Sequence, residues 1–383
     1  MAISKITNKS ITDATITAAD MASGAVEGAM TTQIGGRRNL IINGAMQVAQ
    51  RGTSWTGLTT IGYRLDRFEF YLGSFGTWTA TQSTDVPTGS GFANSFKIEC
   101  TTANASLASG NVGIIRQPIE GQNLQQLAKG TASAKNITVS FWVKSNKTGT
   151  YIFELYDGDN TRQVSASYSV SSSNTWEKKE ITIDGDTTGA FDNDNVASLY
   201  VQWWLGAGSS FTSGTLNTSW ASNVDANRVV GQVNLADTVG NTFQITGVQL
   251  EVGSVATPFE HRSFGEELAL CQRYYEVIGN GADDTFASIG SAFYYTSSSM
   301  LFPLRFAVTK RTKTYTLDAT SGATYYSGYR AGGMDDFNSF SITRRRPQCC
   351  TLYNDTEISG TQGDGFEITL NSGSAFVAID DEL

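Results

Sequence analysis

The sequence predicts an all-β protein: two antiparallel sheets packed face to face, an extended N-terminal stalk, one short helical joint and a β-rich tip. Three observations predict it. Several segments alternate apolar and polar residues with the period of two that a half-buried strand imposes. Only 16% of the 383 residues are charged while glycine alone supplies 39, a balance that suits short strands joined by polar turns and not a helical bundle or a charge-rich disordered chain. A single segment carries helical periodicity. The length is enough for two or three domains, and four blocks are read: 1–36, 37–262, 263–278 and 279–383.

Residues 1–36 are read as an oligomeric stalk or anchor. Ile6, Ile11, Ile16, Met21 and Val26 recur every five residues, and Ile-Thr opens three successive pentads. One copy of so thin a segment cannot bury its apolar row, whereas several copies side by side can. Gly35-Gly36 marks the end of the block.

Residues 37–262 read as the sandwich. In Asn136–Lys144 one face carries Ile137, Val139, Phe141 and Val143, and the other Thr138, Ser140, Trp142 and Lys144. Leu199, Val201, Trp203 and Leu205 alternate with Tyr200, Gln202 and Trp204 in the same way. Phe243–Val252 alternates too, but its phase shifts at Gly247, which predicts a bulge. Turn formers at Asp157–Asn160 and Asp192–Asn195 separate the strands.

Ser263 and Glu266 form a capping-box pair, and Phe264, Leu268, Cys271, Tyr275 and Ile278 follow as one apolar seam. This predicts a helix over 263–278 that either docks on the sandwich or meets its own copies. Residues 279–383 return to β-like alternation. All seven Trp lie before residue 221, while nine of the fifteen Tyr lie at or after 274, which supports a separate C-terminal tip.

Composition removes several functions. A net charge of −9 opposes phosphate backbones, and the one basic run, Arg344-Arg345-Arg346, reads as a solvated or interface face, so no nucleic-acid partner is expected. No stretch of 18 apolar residues exists, so no membrane insertion is expected. The opening Met1–Lys5 lacks the basic-then-apolar pattern of a signal peptide, so assembly in a cytoplasm is expected. Cys100, Cys271, Cys349 and Cys350 follow no metal-ligand spacing and are read as free thiols. The single histidine, His261, sits in a linker before the helix cap, an unsuitable place for a shielded general base. No catalytic residue and no resident metal are assigned.

The residues then suggest a family. Asn39–Met46, Gln50-Arg-Gly52 and Asp66-Arg-Phe68 resemble the opening of bacteriophage tail-fibre modules with a carbohydrate-binding jelly roll. Ile245–Gly253 and Ala256–Glu260 look like that module's last strand and exit, and the Cys-Gln-Arg-Tyr-Tyr run at 271–275 resembles the segment that trails it in tail fibres. The likeness is nearest to fibres of phages that infect cyanobacteria. It covers about 37–276; residues 279–383 resemble nothing nameable. The resemblance implies a jelly roll, a homotrimeric fibre, an N-terminus held by other phage tail or adaptor proteins, and a virion component assembled in the host cytoplasm. It further implies attachment to host lipopolysaccharide, another surface polysaccharide or an outer-membrane receptor. It also raises a structural calcium between the first and last strands. Gln249 stands where an acidic ligand is expected, and Asp157/Asp159 and Asp192/Asp194 are alternative oxygen donors that are also ordinary turn formers. No cofactor is expected beyond that candidate ion.

Sugars present apolar ring faces with hydroxyl edges, so a binding site wants aromatics beside amides and charged groups. Trp142, Tyr200, Gln202 and Trp204, opposite the expected core face, are the first candidates. Tyr325, Tyr326, Tyr329 and Arg330, followed by Gly332-Gly333, read as a tip loop of paratope type and are the second. Tyr294-Tyr295 is a further pair of the same kind. The expected role is adhesion without cleavage. The alternatives are a glycan depolymerase, which needs two carboxylates across a groove, and a capsid-decorating or head fibre.

Overall fold

The computed structural model describes residues 38–383; the pentad stalk lies outside the described residues. Residues Asn39–Leu383 form one compact unit. Its first half carries β1 (Ser54–Leu58), β2 (Gly62–Tyr63), β3 (Glu69–Gly73), β4 (Thr77–Ser83), β5 (Ser95–Thr102), β6 (Val112–Glu120) and β7 (Ile137–Ser145). There follow β8 (Gly149–Asp157), β9 (Arg162–Val170), β10 (Glu177–Ile183), β11 (Ala197–Ala207), a one-turn helix α1 (Ser209–Thr212), β12 (Ala221–Ser222) and β13 (Thr242–Val252).

These strands make the expected jelly-roll sandwich. One sheet has the order β1-β4-β5-β13-β7-β10, the other β12-β9-β8-β11-β6-β3-β2, and every pairing is antiparallel. The inward sets are those the alternation chose: Ile137, Val139, Phe141 and Val143 on β7, and Leu199, Val201, Trp203 and Leu205 on β11, all buried in one cluster. The Phe141 ring meets Trp203 edge-on at 5.7 Å and Tyr168 at 5.2 Å, so side chains of the two sheets interdigitate. Each buried ring contributes roughly 1.5–3 kcal/mol of apolar transfer.

Local chemistry sets the turns. Asp157 closes β8 and accepts the Asn160 backbone N–H at 3.1 Å, an Asx turn that delivers the chain to β9. The bulge in β13 lies between Thr246 and Gln249. Gly247 adopts φ +60°, and a Cβ there would lie 2.5 Å from the Phe92 ring, so conformation and space both demand glycine.

The helix is shorter than its apolar seam suggests. Helix α2 spans Phe264–Gln272, and its capping box forms: Glu266 N–H donates to the Ser263 hydroxyl at 3.3 Å while Ser263 N–H donates to the Glu266 carboxylate at 3.0 Å. It docks on the sandwich through Cys271, fully buried, and Glu267, which accepts the Asn43 N–H at 2.6 Å; Phe264 stays exposed. From Tyr275 the chain is extended, because Tyr, Val and Ile favour a strand once a partner is present. That partner is the final strand, about a hundred residues downstream.

The second half consists of β14 (Tyr275–Asn280), β15 (Ser288–Thr296), β16 (Ser299–Arg305), β17 (Thr316–Ala319) and β18 (Tyr326–Arg330). It continues with β19 (Gly333–Phe337), β20 (Ser341–Arg346), β21 (Cys349–Asn354), β22 (Gly365–Leu370) and β23 (Phe376–Asp380). A small sheet β14-β23-β17 packs against one face of the larger sheet β19-β18-β22-β15-β16-β21-β20, with Tyr326, Phe337, Leu352, Ile368, Val377 and Ile379 between them.

Buried charge joins the halves. Arg67 stacks on Tyr274 at 3.5 Å, donates to the Pro118 carbonyl at 2.7 Å and pairs with Glu382. Arg51 stacks on Tyr275 at 3.5 Å and reaches Asp380 and Glu382 at 3.2 Å each. Glu120 accepts two guanidinium nitrogens of Arg273 at 2.8 Å, and within the second half the buried Lys310 ammonium meets Glu276 at 2.5 Å.

Candidate functional site

The outer face of the seven-stranded sandwich sheet gathers aromatic and charged side chains in rows fixed by register. Tyr200 on β11 lies opposite Tyr156 on β8; Gln202 lies opposite both Glu154 on β8 and Arg116 on β6; Arg116 in turn faces Glu69 on β3. Tyr71 and Trp204 both neighbour Ile114. Four adjacent strands thus place Tyr156, Tyr200, Arg116 and Tyr71 across about 14 Å, three strand spacings of roughly 4.8 Å.

This strip divides into an open part and a roofed part. Tyr71, Tyr156, Tyr200 and Arg116 are half-buried and reach solvent. Their rings are held in place: Tyr156 and Tyr200 lie 6.0 Å apart, and the Arg116 guanidinium sits 4.4 Å from Tyr71 and 5.0 Å from Tyr200 while its Nε pairs with Glu69. Burial raises the Tyr200 pKa, with Arg116 acting in the opposite sense, so the phenol stays protonated at neutral pH and is able both to donate and to accept.

Gln202 and Trp204, on the face opposite the inward row, are each 1% exposed, packed under a loop and not open to a ligand. The segment after β11 folds over them, so Phe211, Leu216 and Val229 close an apolar cluster around Trp204. Beneath that roof lies Glu154, wholly buried, accepting from Gln202 Nε2 at 2.9 Å, Trp204 Nε1 at 2.8 Å and Arg228 Nε and Nη2 at 2.8 and 3.0 Å. Arg228 in turn lies 5.0 Å from the Tyr156 ring. These residues form the support of the strip and not its contact surface. Trp142 is elsewhere, on β7 of the opposite sheet, half-buried over the Gly247 bulge beside Phe92.

No family model and no curated protein matches the sequence. Among solved structures, the chain is similar to the enzymatically active domain of bacteriophage CBA120 tailspike protein 4 (14% identity, 56% of this chain and 21% of that chain, TM-score 0.29). It is also similar to a family 11 carbohydrate-binding module from Clostridium thermocellum (13%, 54% and 99%, TM-score 0.26). A tandem CBM22 domain from Paenibacillus barcinonensis Xyn10C aligns over more of the chain (8%, 91% and 97%, TM-score 0.28). The chain spans about a fifth of the tailspike domain's own length, 21%. Likeness at these scores decides nothing about function; the side chains must.

In the second half of the chain, the expected loop 325–330 is a strand. Tyr326–Arg330 pairs with β19 and β22, and Gly332-Gly333 supplies only the hairpin turn and its exit. Alternation therefore splits the candidates. Tyr326 is fully buried, its hydroxyl donating to the Thr320 and Phe376 carbonyls, and Tyr325 is half-buried beside it. Tyr329 is 55% exposed and lies opposite Met334 and Glu367 on the outer face. Arg330 lies 4.9 Å from the Tyr294 ring and is half-buried. Of the second pair, Tyr294 is buried and Tyr295 exposed. With Phe293 and Met334, both exposed, Tyr295 and Tyr329 make an uncovered aromatic face that the loop interpretation missed.

Other chemistry finds no assembled site. Asp157 is spent on Lys129 at 2.5 Å, Asp159 on the Asp192 N–H at 2.9 Å, and Asp194 on the Val196 N–H at 2.9 Å, while Gln249 Nε2 donates to Glu251 at 2.8 Å. No group of three metal-ligating side chains occurs among the described residues. His261 packs against Phe92 and Phe259, with ring centroids 5.4 and 4.9 Å away. The four cysteines are free thiols.

Proposed function

We propose that this chain is a bacteriophage tail-fibre adhesin that binds host surface glycan without cleaving it. The observation that carries the reading is the strip of Tyr71, Arg116, Tyr156 and Tyr200, half-open to solvent and flanked on the same sheet face by the roofed Glu154–Arg228–Trp204–Gln202 group, whose Arg228 lies against the Tyr156 ring. Phenol rings offer flat surfaces to sugar C–H faces, and phenol and guanidinium edges offer donors to ring hydroxyls. A shallow strip suits internal residues of a long polysaccharide. The exposed face of the tip sheet, with Phe293, Tyr295, Tyr329 and Met334, is a second contact surface for the host receptor.

Such sites are weak singly and gain from repetition. The tip sheet supports a homotrimer in one respect. Its two edge strands differ in charge: β20 presents Arg344, Arg345 and Arg346, all exposed and without an ion pair among the described residues, while β19 at the opposite edge carries Asp335 and Asp336. Unlike edges fit head to tail, the arrangement that closes rings of copies. The virion end is assigned to the N-terminal stalk.

The test is polysaccharide from a susceptible host. The protein binds it, and Tyr156→Ala with Tyr200→Ala loses about 1–2 kcal/mol per ring, or roughly 5–30-fold each in affinity. The polysaccharide keeps its chain length after prolonged incubation. Unchanged affinity in the double variant removes the strip as the site, and shortened chains make the protein a depolymerase.

A further inference from the structure

A cavity lies away from the tyrosine strip, at the edge of the sandwich between β9 and β10. It encloses about 560 Å³, within the roughly 300–1,000 Å³ of ligand pockets. Its floor is apolar, made by Val164, Ala166 and Ile183 from the inner faces of the two sheets. Trp220, just before β12, lines one side, its indole N–H donating to the Asp184 carbonyl at 3.0 Å.

The charges around it are already paired. Arg162 grips Asp186 through Nε at 2.7 Å and Nη2 at 3.0 Å. Lys129 behind them donates to Asp157 at 2.5 Å and to the Thr188 and Gly189 carbonyls at 2.9 and 2.7 Å. Burial raises the Asp186 pKa, but Arg162, the Thr188 N–H and Lys129 outweigh it and hold the carboxylate below its usual range. The cation on the wall, Arg162, is thus already neutralised by a carboxylate through two of its three nitrogens.

What remains free is hydroxyl. Thr187, Thr188, Thr218 and Ser219 line the rim, and none of their hydroxyls has a hydrogen-bond partner among the described residues. Among the described residues Asp184 engages one carboxylate oxygen, Oδ1, which accepts from Asn136 Nδ2 at 3.2 Å. An indole, an apolar floor, free hydroxyls and one open carboxylate oxygen match a neutral polyol and disfavour an anion. We infer that the Trp220 cavity is a second carbohydrate site, one that takes a single neutral sugar unit, such as a chain end, where the strip takes the run of a chain. The inference rests on the proposed glycan-binding role.

The test is saturation-transfer NMR on the full chain with D-glucose, D-galactose, D-mannose, L-rhamnose and D-galacturonate, beside polysaccharide binding. At least one neutral sugar receives saturation in the wild type and galacturonate does not. Trp220→Ala weakens that transfer at least about fivefold, and Ser219→Leu, which crowds the rim without touching the core, does the same. Tyr156→Ala/Tyr200→Ala retains it. Transfer that survives both cavity variants, equal transfer to galacturonate, or none to any neutral sugar overturns the inference. If polysaccharide binding then falls only in the tyrosine variant, the strip stands and the cavity alone fails. If neutral-sugar transfer falls only in the cavity variants while polysaccharide binding ignores the tyrosines, the cavity stands and the strip fails.

Discussion

Arg228→Met tests the claim that the roofed group beside the strip holds it in position. Arg228 gives Glu154 two of its four hydrogen bonds, and Glu154 has no access to water through which to replace them. Removing one partner of a buried ion pair typically costs about 3–5 kcal/mol, because the remaining charge is stranded. Arg228 keeps 15% of its side chain exposed, so a value near the lower end, about 3 kcal/mol, is expected at neutral pH. Glu154→Leu alone strands the guanidinium, which can turn partly to solvent, and costs less. The double variant recovers part of the loss, giving a coupling of about 1–3 kcal/mol in a double-mutant cycle. The assay is urea unfolding by intrinsic fluorescence, alongside polysaccharide affinity. Affinity also falls in Arg228→Met, since the guanidinium lies against the Tyr156 ring at 5.0 Å. A single-variant cost under about 1 kcal/mol with no coupling and unchanged affinity refutes the argument.

Gly247→Ala forces a Cβ to within 2.5 Å of Phe92 at φ +60°, and a loss of about 1–3 kcal/mol is expected in the same unfolding assay. Burial raises the Glu120 pKa, but hydrogen bonds from Arg273, Tyr274 and Gln122 outweigh it and hold the folded value below the unfolded one. Its stabilising contribution is therefore full above the unfolded pKa of about 4.3 and drains as pH falls through the folded value; the drop in melting temperature over that window should shrink in Glu120→Gln. Replacing Arg344, Arg345 and Arg346 by Glu should shift the oligomer toward monomer in light scattering, and high salt should do so in the wild type. An unchanged mass in both arms removes the charged edges from assembly.

Legibility in the sequence followed how local each cause was. The inward rows of β7 and β11, the bulge at Gly247 and the capping box at Ser263 are written within a few residues and were readable. The end of α2 was not, because Tyr275–Asn280 becomes a strand only by pairing with Phe376–Asp380. Alternation chose the correct face for Gln202 and Trp204, but the cover over them comes from the segment around Phe211 and Val229, which no local period announces. Tyr71, Arg116 and Tyr156 went unselected for the same reason: each sits on its own strand, and only cross-strand register assembles them. In the second half, the tyrosine-rich run was conspicuous as a contact candidate, but Gly332-Gly333 marks the turn and not the run before it, and strand alternation puts Tyr326 in the core.

The halves of this unit are joined by charges, and that bears on how weak sites add. Buried ion pairs contribute little net stability against apolar packing of the same volume, so the cluster of Arg67, Arg51 and Glu382 is not explained by strength. Its geometry fixes direction: two guanidinium groups stack on consecutive rings, Tyr274 and Tyr275, and share one carboxylate, an arrangement with a single register. A greasy joint of equal area would allow sliding. Multivalent binding gains most when the spacing between sites matches the target and is not averaged over a flexible joint. If the proposed adhesin role holds, a strip and a second-half face locked into one body would present both at a fixed separation, and surplus affinity would come from preorganisation and not from added contacts. Loosening the joint with Arg67→Met should then weaken whole-cell adsorption more than it weakens binding of a short oligosaccharide to the strip.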